Sequence, residues 1–275
     1  MTYGDGDGIN YFPLTCTDII GHEITHGVTE HSADLVYAYE SGALNESFSD
    51  IFGTCIDFYL NPETANWILA EQISSTNAPL RSLENPNSLG DPDTYQGNYW
   101  VTGSSDNGGV HTNSSVMNYW FYLLTNGGSG VNDNNDTYSV TGIGINKAAQ
   151  IAYRNLTVYL TANSQFADAR FYSIQSAIDL YGECSQEVIS VTNAWHAVGV
   201  GADYNNSVIA EFNASQTFSC SIPATVNFYN LSVNGSTYRW DFGDGTTSTS
   251  ANPSKTYTET GVYDIRTNYK WERRL

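Results

Sequence analysis

Apolar residues recur along most of the chain at the spacing of amphipathic helices. From Asp18 onward they repeat every three to four residues, which predicts a helix that carries Gly27 near its end. A second helix is predicted from about Ala43 to Leu60, where Pro62 marks a stop. Further helical patterns cover residues 112–125, 145–162, 166–181 and 185–197.

Two segments lack this spacing. Residues 1–15 are rich in Gly and Asp and predict a hairpin or loop remnant, and residues 74–110 combine several prolines with many Gly and Asn. The second segment therefore predicts mostly loop, and long loops in compact domains often carry function.

After about Tyr204 the pattern changes from helical to β-forming. Clusters of β-formers at 226–231, 238–242 and 255–257 are separated by the turn pairs Asp244-Gly245 and Asn252-Pro253. Four of the ten Lys and Arg residues precede position 205, and six follow it. The predicted fold is an α+β chain of two domains, a mainly helical one at 1–203 and a small all-β sandwich at 208–275.

Composition excludes several classes of function. The 275 residues carry 10 Lys and Arg against 29 Asp and Glu, a net charge of −19, which argues against nucleic-acid binding. No apolar run approaches the roughly 18 residues that a membrane span needs. Four cysteines in a chain rich in Tyr, Asn, Ser and Thr are typical of an exported protein with two disulfides, and all three pairings stay open.

The clearest chemical motif is His22-Glu23-Ile24-Thr25-His26 in the first predicted helix. Residues four apart share one helix face, so both imidazoles can bind one metal ion. Glu23 lies roughly 100° further round the helix and can address a water on that ion. The alternative is a pair of solvated or core histidines on an ordinary helix.

A third ligand is available on the second predicted helix. Glu46 and Asp50 share a face there, and a catalytic zinc requires three protein ligands with one open position. Glu46 can complete this set, and Asp50 can bind the far N–H of one histidine. Taken alone, the acidic pair would be a solvated helix face.

Three blocks of sequence resemble the thermolysin-like zinc metallopeptidases. They are residues 21–27, 41–53 and 106–111, and the similarity extends from Met1 to about Gly201. The resemblance implies that His22, His26 and Glu46 bind one catalytic zinc ion. It also implies that Glu23 is the general base and that Asp50 orients His22.

The same resemblance assigns the remaining parts of an active site. Tyr37 and His111 resemble the two donors that stabilise the tetrahedral oxyanion, and Asp106 resembles the carboxylate that positions and charges His111. Arg81 resembles the arginine that binds the substrate carbonyl beyond the cleavage point.

The resembling family also binds structural calcium close to its zinc helices. Asp18, Asp57, Asn66 and Glu71 fall at or near those positions. Ile68 stands where some members carry another carboxylate, so one calcium ion is expected rather than two. The alternative is a set of scattered surface acids.

If Asp18 and Asp57 share that ion, the cysteines two residues before each of them should also be close. A Cys16–Cys55 disulfide is therefore expected. Cys184 and Cys220 would then pair across the domain boundary or stay free.

The C-terminal part resembles the polycystic-kidney-disease (PKD) β-sandwich domain. The resemblance covers about Ala210 to Ile265 and includes the turn Trp240-Asp-Phe-Gly-Asp-Gly. Such modules in secreted hydrolases serve as spacers or surface-binding appendages, so a contact with a surface or a polysaccharide is expected here, without a catalytic role. Residues 266–275 are basic and lack strand alternation, which predicts an incomplete last strand.

Together these features predict a secreted zinc endopeptidase that acts on proteins and peptides. If the pocket of the resembling family carries over, Ile19 and Leu80 near Arg81 imply a preference for a bulky apolar residue after the scissile bond. Met1 corresponds to a point beyond the substrate-binding edge strand of the family, so the chain is expected to be a fragment of a longer precursor with weak activity alone. The alternative is a non-catalytic surface or adhesive protein with a structural metal site, which usually has four protein ligands.

Overall fold

The computed structural model describes residues 3–204, 212–232 and 237–267, and the chain divides into two compact units at 1–204 and 205–275. The predicted boundary segment, 202–208, lies largely outside the described residues. Seven α-helices are described in the first unit: α1 Thr17–Glu30, α2 Tyr39–Leu60, α3 Asp106–Asn113, α4 Ser115–Asn126, α5 Ile145–Arg154, α6 Phe166–Tyr181 and α7 Gln186–Ala197. This confirms a mainly helical first part.

Short strands and turns fill the gaps between these helices. Two antiparallel pairs are described: β1 Ile68–Leu69 with β2 Arg81–Ser82, and β3 Gly128–Val131 with β4 Thr137–Val140. The predicted helix at 145–162 is divided, because a π-helical turn at Asn155–Tyr159 follows α5. The predicted loop at 74–110 contains β2, a 3₁₀ turn at Pro86–Leu89 and the start of α3.

Helix α2 passes through the centre of the helical unit. Residues 41–50 are all buried, because its apolar side packs into the core and its polar side faces other protein groups. The stacked rings of Trp120 and Trp195, 4.9 Å apart, lie in the same core. A helix enclosed in this way holds its polar side chains in fixed positions.

Two glycines bring α1 and α2 into close contact. A Cβ atom on Gly53 would lie 2.3 Å from the backbone oxygen of Asp18, and one on Gly21 would lie 2.9 Å from the Cα of Gly53. The helices can therefore cross almost backbone to backbone. This crossing places His22, which follows Gly21, beside the polar side of α2.

The predicted Cys16–Cys55 disulfide is wrong for this structure, in which both cysteines are free thiols. Cys55 packs against the hydrophobic core, and burial raises the pKa of its thiol to about 12. Burial and then the neighbouring Asp18 carboxylate raise the pKa of Cys16 to about 12. Cys184 and Cys220 are also free, and both are exposed.

The second unit contains two antiparallel sheets. One has the order β5-β6-β9, formed by Phe212–Ala214, Ala224–Asn230 and Ser254–Tyr257. The other has the order β10-β7-β8, formed by Arg266–Thr267, Trp240–Asp241 and Thr247–Ser248. The buried rings between them are Phe228, Trp240, Phe242 and Tyr257.

The predicted incomplete last strand, at 266–275, can be compared with the structure at its first two residues. Arg266 and Thr267 pair with Asp241 and Trp240, and residues 268–275 lie outside the described part. No helix in the described ranges has the length and apolar character needed to cross a membrane.

Candidate metal centre

Three side chains from α1 and α2 converge on one point. The Nε2 atoms of His22 and His26 are 3.0 Å apart. The Glu46 carboxylate oxygens lie 3.5 Å from His22 Nε2 and 3.4 Å from His26 Nε2. A tetrahedral zinc ion with ligands at 2.0–2.1 Å would separate those ligands by about 3.3 Å, so the observed spacing fits such an ion.

The chemistry of these atoms also fits a cation. Glu46 is 1 % exposed, and its Oε2 atom has no hydrogen-bond partner. A buried carboxylate oxygen without a partner costs folding free energy, which a bound cation would offset. Among the described residues, these three side chains form the one group of three or more His, Cys, Asp or Glu close enough to share an ion.

Both histidine rings are oriented by a hydrogen bond on the opposite nitrogen. His22 Nδ1 lies 2.8 Å from Asp50 Oδ1, and His26 Nδ1 lies 2.8 Å from Asn45 Oδ1. Because a carboxylate and an amide oxygen only accept, each Nδ1 carries the proton and each Nε2 is free to bind metal. Sequence reasoning anticipated Asp50 and did not anticipate Asn45.

Asp50 is the centre of a buried charged network. It is fully buried and accepts bonds from His22, from Arg81 Nε and Nη2 at 2.6 and 2.7 Å, and from Asn118 Nδ2 at 2.7 Å. Burial would raise the pKa of Asp50, but the charges and hydrogen bonds of Arg81 and His22 together outweigh it and hold that pKa well below its usual value. Burial would lower the pKa of His22, but the hydrogen bond and charge of Asp50, together with the charge of Glu46, raise it.

Tyr37 and His111 lie on the other side of Glu46. The Tyr37 hydroxyl donates to Glu46 Oε1 and is 3.1 Å from His111 Nε2, which is 3.6 Å from Glu46 Oε2. Burial, and then the Glu46 carboxylate, raise the pKa of Tyr37, so its hydroxyl keeps its proton. His111 Nδ1 lies 2.7 Å from Asp106 Oδ1, and this bond lowers the pKa of Asp106 against the opposing effect of its burial.

An unusual backbone segment presents His111. Residues 106–109 all have positive φ, from 51° to 94°, and form a short left-handed turn at the start of α3. This turn brings Asp106 within reach of both the His111 ring and the His111 backbone N–H, at 2.9 Å. A Cβ atom on Gly108 would lie 2.4 Å from the Tyr39 ring, so the turn requires glycine there.

The predicted base and two of the predicted substrate-binding residues lie close in sequence to residues of this centre. Glu23 follows His22 on α1 and is half-buried, as is Ile19 one turn earlier. Leu80 is 49 % exposed beside Arg81. Arg81 is mostly buried, and two of its nitrogens bind Asp50, which the sequence did not predict.

The four residues predicted to bind calcium have other contacts in the structure. The Asp18 carboxylate accepts two backbone N–H bonds, at 2.8 and 2.6 Å. Asp57 accepts a side-chain amide bond at 2.8 Å, and Asn66 donates to Glu71 at 2.9 Å. The structure therefore pairs Asn66 with Glu71 but does not gather all four, and the calcium site stays a prediction.

A cavity is lined by residues that lie close in sequence to Tyr37 and His111. A cavity of about 480 Å³ is lined in part by Val36, Ala38 and Gly108, which neighbour the two donors in sequence, and by Tyr39 and Trp100. Its volume is in the range of ligand-binding clefts. The lining includes the residues before and after Tyr37 in sequence, but neither Tyr37 nor His111.

Models of known families match most of the chain. The family described as thermolysin metallopeptidase, alpha-helical domain, matches residues 33–200, and its catalytic-domain counterpart matches residues 1–30. The PKD domain family matches residues 207–269. The predicted resemblance to both families is confirmed.

Individual proteins are also similar to this chain in sequence or in structure. Bacillolysin from Bacillus caldolyticus and a thermolysin from Alicyclobacillus acidocaldarius subsp. acidocaldarius are each 49 % identical over 206 residues, which are 73 % of this chain and 36 % of theirs. The structure of the precursor of protealysin, a metalloproteinase from Serratia proteamaculans, matches with a TM-score of 0.59 and 31 % identity, covering 72 % of this chain and 62 % of that one.

Together with the three-ligand centre, these matches place the helical unit among the metallopeptidases. The chain belongs to the thermolysin metallopeptidase family. It spans about a third of the length of the curated relatives that it matches.

Proposed function

We propose that the chain is the zinc-binding part of a secreted endopeptidase that hydrolyses peptide bonds. The observation that carries this proposal is the convergence of His22 Nε2, His26 Nε2 and the buried oxygen of Glu46 that accepts no hydrogen bond. Three protein ligands with no fourth among the described residues favour a catalytic centre over a closed structural one.

His22, His26 and Glu46 would hold the zinc ion. When bound, zinc supplies Lewis-acid polarisation of the scissile carbonyl and makes water more acidic. Glu23, on the same helix as the two histidines, takes a proton from the attacking water and passes it to the leaving amine nitrogen.

Tyr37 and His111 act on the carbonyl oxygen as negative charge develops there. The Tyr37 hydroxyl donates one hydrogen bond, and protonated His111 donates a second from Nε2. Asp106 accepts the bond from His111 Nδ1 and thereby holds the ring with Nε2 toward that oxygen. Fixed donors of this kind stabilise the transition state more than the ground state.

Substrate preference follows from the apolar and basic groups beside the centre. Ile19 and Leu80 favour a bulky apolar residue after the scissile bond. Arg81, whose Nε and Nη2 bind Asp50, has Nη1 left for the substrate carbonyl beyond that bond.

We also propose the wider organisation of the protein. Residues 1–203 form the peptidase part, which takes one structural calcium ion, and residues 208–275 form the PKD module. The module would contact a surface or a polysaccharide and leave catalysis to the first part. The substrates are extracellular proteins and peptides.

Glu23→Gln tests the proposed activity. The variant should keep one zinc ion per chain, because the three ligands are intact, and should lose casein hydrolysis by a factor of about 10² or more. Glu30→Gln, at the exposed end of the same helix, is the matched control and should change neither property. His22→Ala should lose both zinc and hydrolysis. Undiminished, chelator-sensitive hydrolysis by Glu23→Gln would contradict the proposal, as would a parent chain that binds no zinc.

A further inference from the structure

A buried contact between α2 and α4 lies directly behind the metal centre. Asn118, on α4, is fully buried, and its Nδ2 donates to Asp50 Oδ2 at 2.7 Å. The Oδ1 of the same amide accepts a bond from the Ser47 hydroxyl, also at 2.7 Å. Ser47 is fully buried as well, so neither bond competes with solvent.

The Ser47 bond determines which end of the amide faces Asp50. A hydroxyl can donate to the amide oxygen, whereas a carboxylate can only accept from the amide nitrogen. Ser47 and Asp50 are three residues apart on α2 and therefore share a face of that helix. A single asparagine from α4 bridges them in one orientation.

Asn118 supplies one of the four hydrogen bonds that hold the Asp50 carboxylate. Oδ1 accepts from His22 and from Arg81 Nη2, and Oδ2 accepts from Arg81 Nε and Asn118. Without Asn118, Oδ2 would keep only its bond to Arg81. A buried carboxylate oxygen that loses a donor shifts toward its remaining donors, which changes the position of the oxygen that binds His22.

We propose that Asn118 is a positioning residue of the metal centre, which acts through Asp50 to fix the His22 ring with Nε2 toward the ion. The proposal rests on the zinc site proposed above. Helix α4 thus sets the geometry of a ligand on α1 without touching that ligand.

The two histidine ligands provide an internal comparison. His22 depends on Asp50 and hence on Asn118, whereas His26 is oriented by Asn45 on α2. Loss of Asn118 should therefore loosen one ring and leave the other unchanged. A general loss of stability would affect both.

Asn118→Ala in the full 275-residue chain tests this mechanism, with Asn155→Ala as the matched control. Asn155 is another fully buried asparagine of the same unit, and its Nδ2 donates to the backbone oxygen of Ala169. Zinc dissociation constants are measured by competition with a chromogenic chelator. Direct partners of metal ligands typically contribute 10–100-fold in affinity, so about tenfold weaker binding is expected for Asn118→Ala. Asn155→Ala should stay within twofold of the parent.

A second readout follows the Nδ1–H protons of the zinc-loaded protein after ¹⁵N-histidine labelling. Solvent exchange of the His22 proton should accelerate in Asn118→Ala, and that of the His26 proton should not. Unchanged affinity and exchange, or equal changes in Asn118→Ala and Asn155→Ala, would overturn the proposal.

Two more variants keep the test decisive. If Asn118→Ala does not fold, Ser47→Ala, which removes only the bond that orients the amide, should accelerate His22 exchange and weaken zinc binding at least twofold. No change in Ser47→Ala would then overturn the proposal. His22→Ala separates the proposed zinc site from the proposed role of Asn118. If His22→Ala binds zinc as tightly as the parent, the proposed zinc site is wrong. If His22→Ala loses zinc while Asn118→Ala does not, only the role of Asn118 is wrong.

Discussion

Replacing Arg81 by methionine should strongly destabilise the helical unit when zinc is removed. The guanidinium makes two hydrogen bonds to the fully buried Asp50 and lies 3.8 Å from Glu46 Oε2. It is the cation that balances these two carboxylates in the absence of a metal ion. Methionine keeps much of the side-chain volume and removes the charge and the donors.

The expected magnitude follows from the burial of the pair. Removing one partner of a buried ion pair costs about 3–5 kcal/mol, because the other charge stays buried without compensation. The attraction between Arg81 and Glu46 alone is about 4 kcal/mol at 3.8 Å with an effective dielectric constant near 20. In a unit of roughly 200 residues, a loss of about 4 kcal/mol lowers the melting temperature by about 8–16 °C.

Scanning calorimetry in EDTA and in excess zinc measures this effect, and the transition that responds to zinc identifies the helical unit. With zinc bound, the charge of the ion offsets part of the lost guanidinium charge, so the destabilisation should be smaller than in EDTA. Arg154→Met is the control, since Arg154 pairs with Asp179 on the surface, where ion pairs contribute little. An Arg81→Met loss below about 1 kcal/mol in EDTA, or one no larger than that of Arg154→Met, would refute the reasoning.

Two further predictions concern the left-handed turn and the second unit. Gly108→Ala should cost more than Gly90→Ala and should reduce hydrolysis, because its Cβ would lie 2.4 Å from the Tyr39 ring. Gly90 also has positive φ but no neighbour within 4 Å, so its variant should cost only the roughly 1–2 kcal/mol of a left-handed residue and keep activity. Asp244 has its pKa lowered to about 2 by hydrogen bonds from Lys255 first and then from Thr246, so its contribution to stability is present above the unfolded pKa of about 3.9 and is lost as the pH falls toward 2. Asp244→Asn should therefore melt below the parent at pH 6, and a gap as large at pH 2 as at pH 6 would contradict this assignment.

The three candidate metal ligands could be brought together from the sequence because helix geometry is local. Residues four apart share a face in any α-helix, so His22 and His26 required only that α1 form, as it does at Thr17–Glu30. Glu46 and Asp50 were likewise placed on one face of α2. The resemblance to a known family then supplied Tyr37, which no local pattern could have selected.

The contacts between elements were harder to predict from the sequence. Asn45 and Asn118 hold the centre together through bonds to His26 and Asp50, yet each would be an ordinary polar residue in its own helix. The signal that could have identified Asn118 is a polar residue within the apolar pattern of α4, and that pattern alone does not say what it faces. Arg81 was predicted to bind substrate, and its two bonds to Asp50 depend on the approach of β2 to α2.

The chain alone determined its helices, its two-part organisation and the three candidate metal-binding side chains, because these depend on periodicity and on residue type. Only the tertiary structure decided the hydrogen bonds behind those side chains, the left-handed turn that presents His111, and the free state of Cys16 and Cys55. The physical reason is that such features depend on distances between residues far apart in sequence. Helix packing sets those distances, here through the close crossing of α1 and α2 at Gly21 and Gly53.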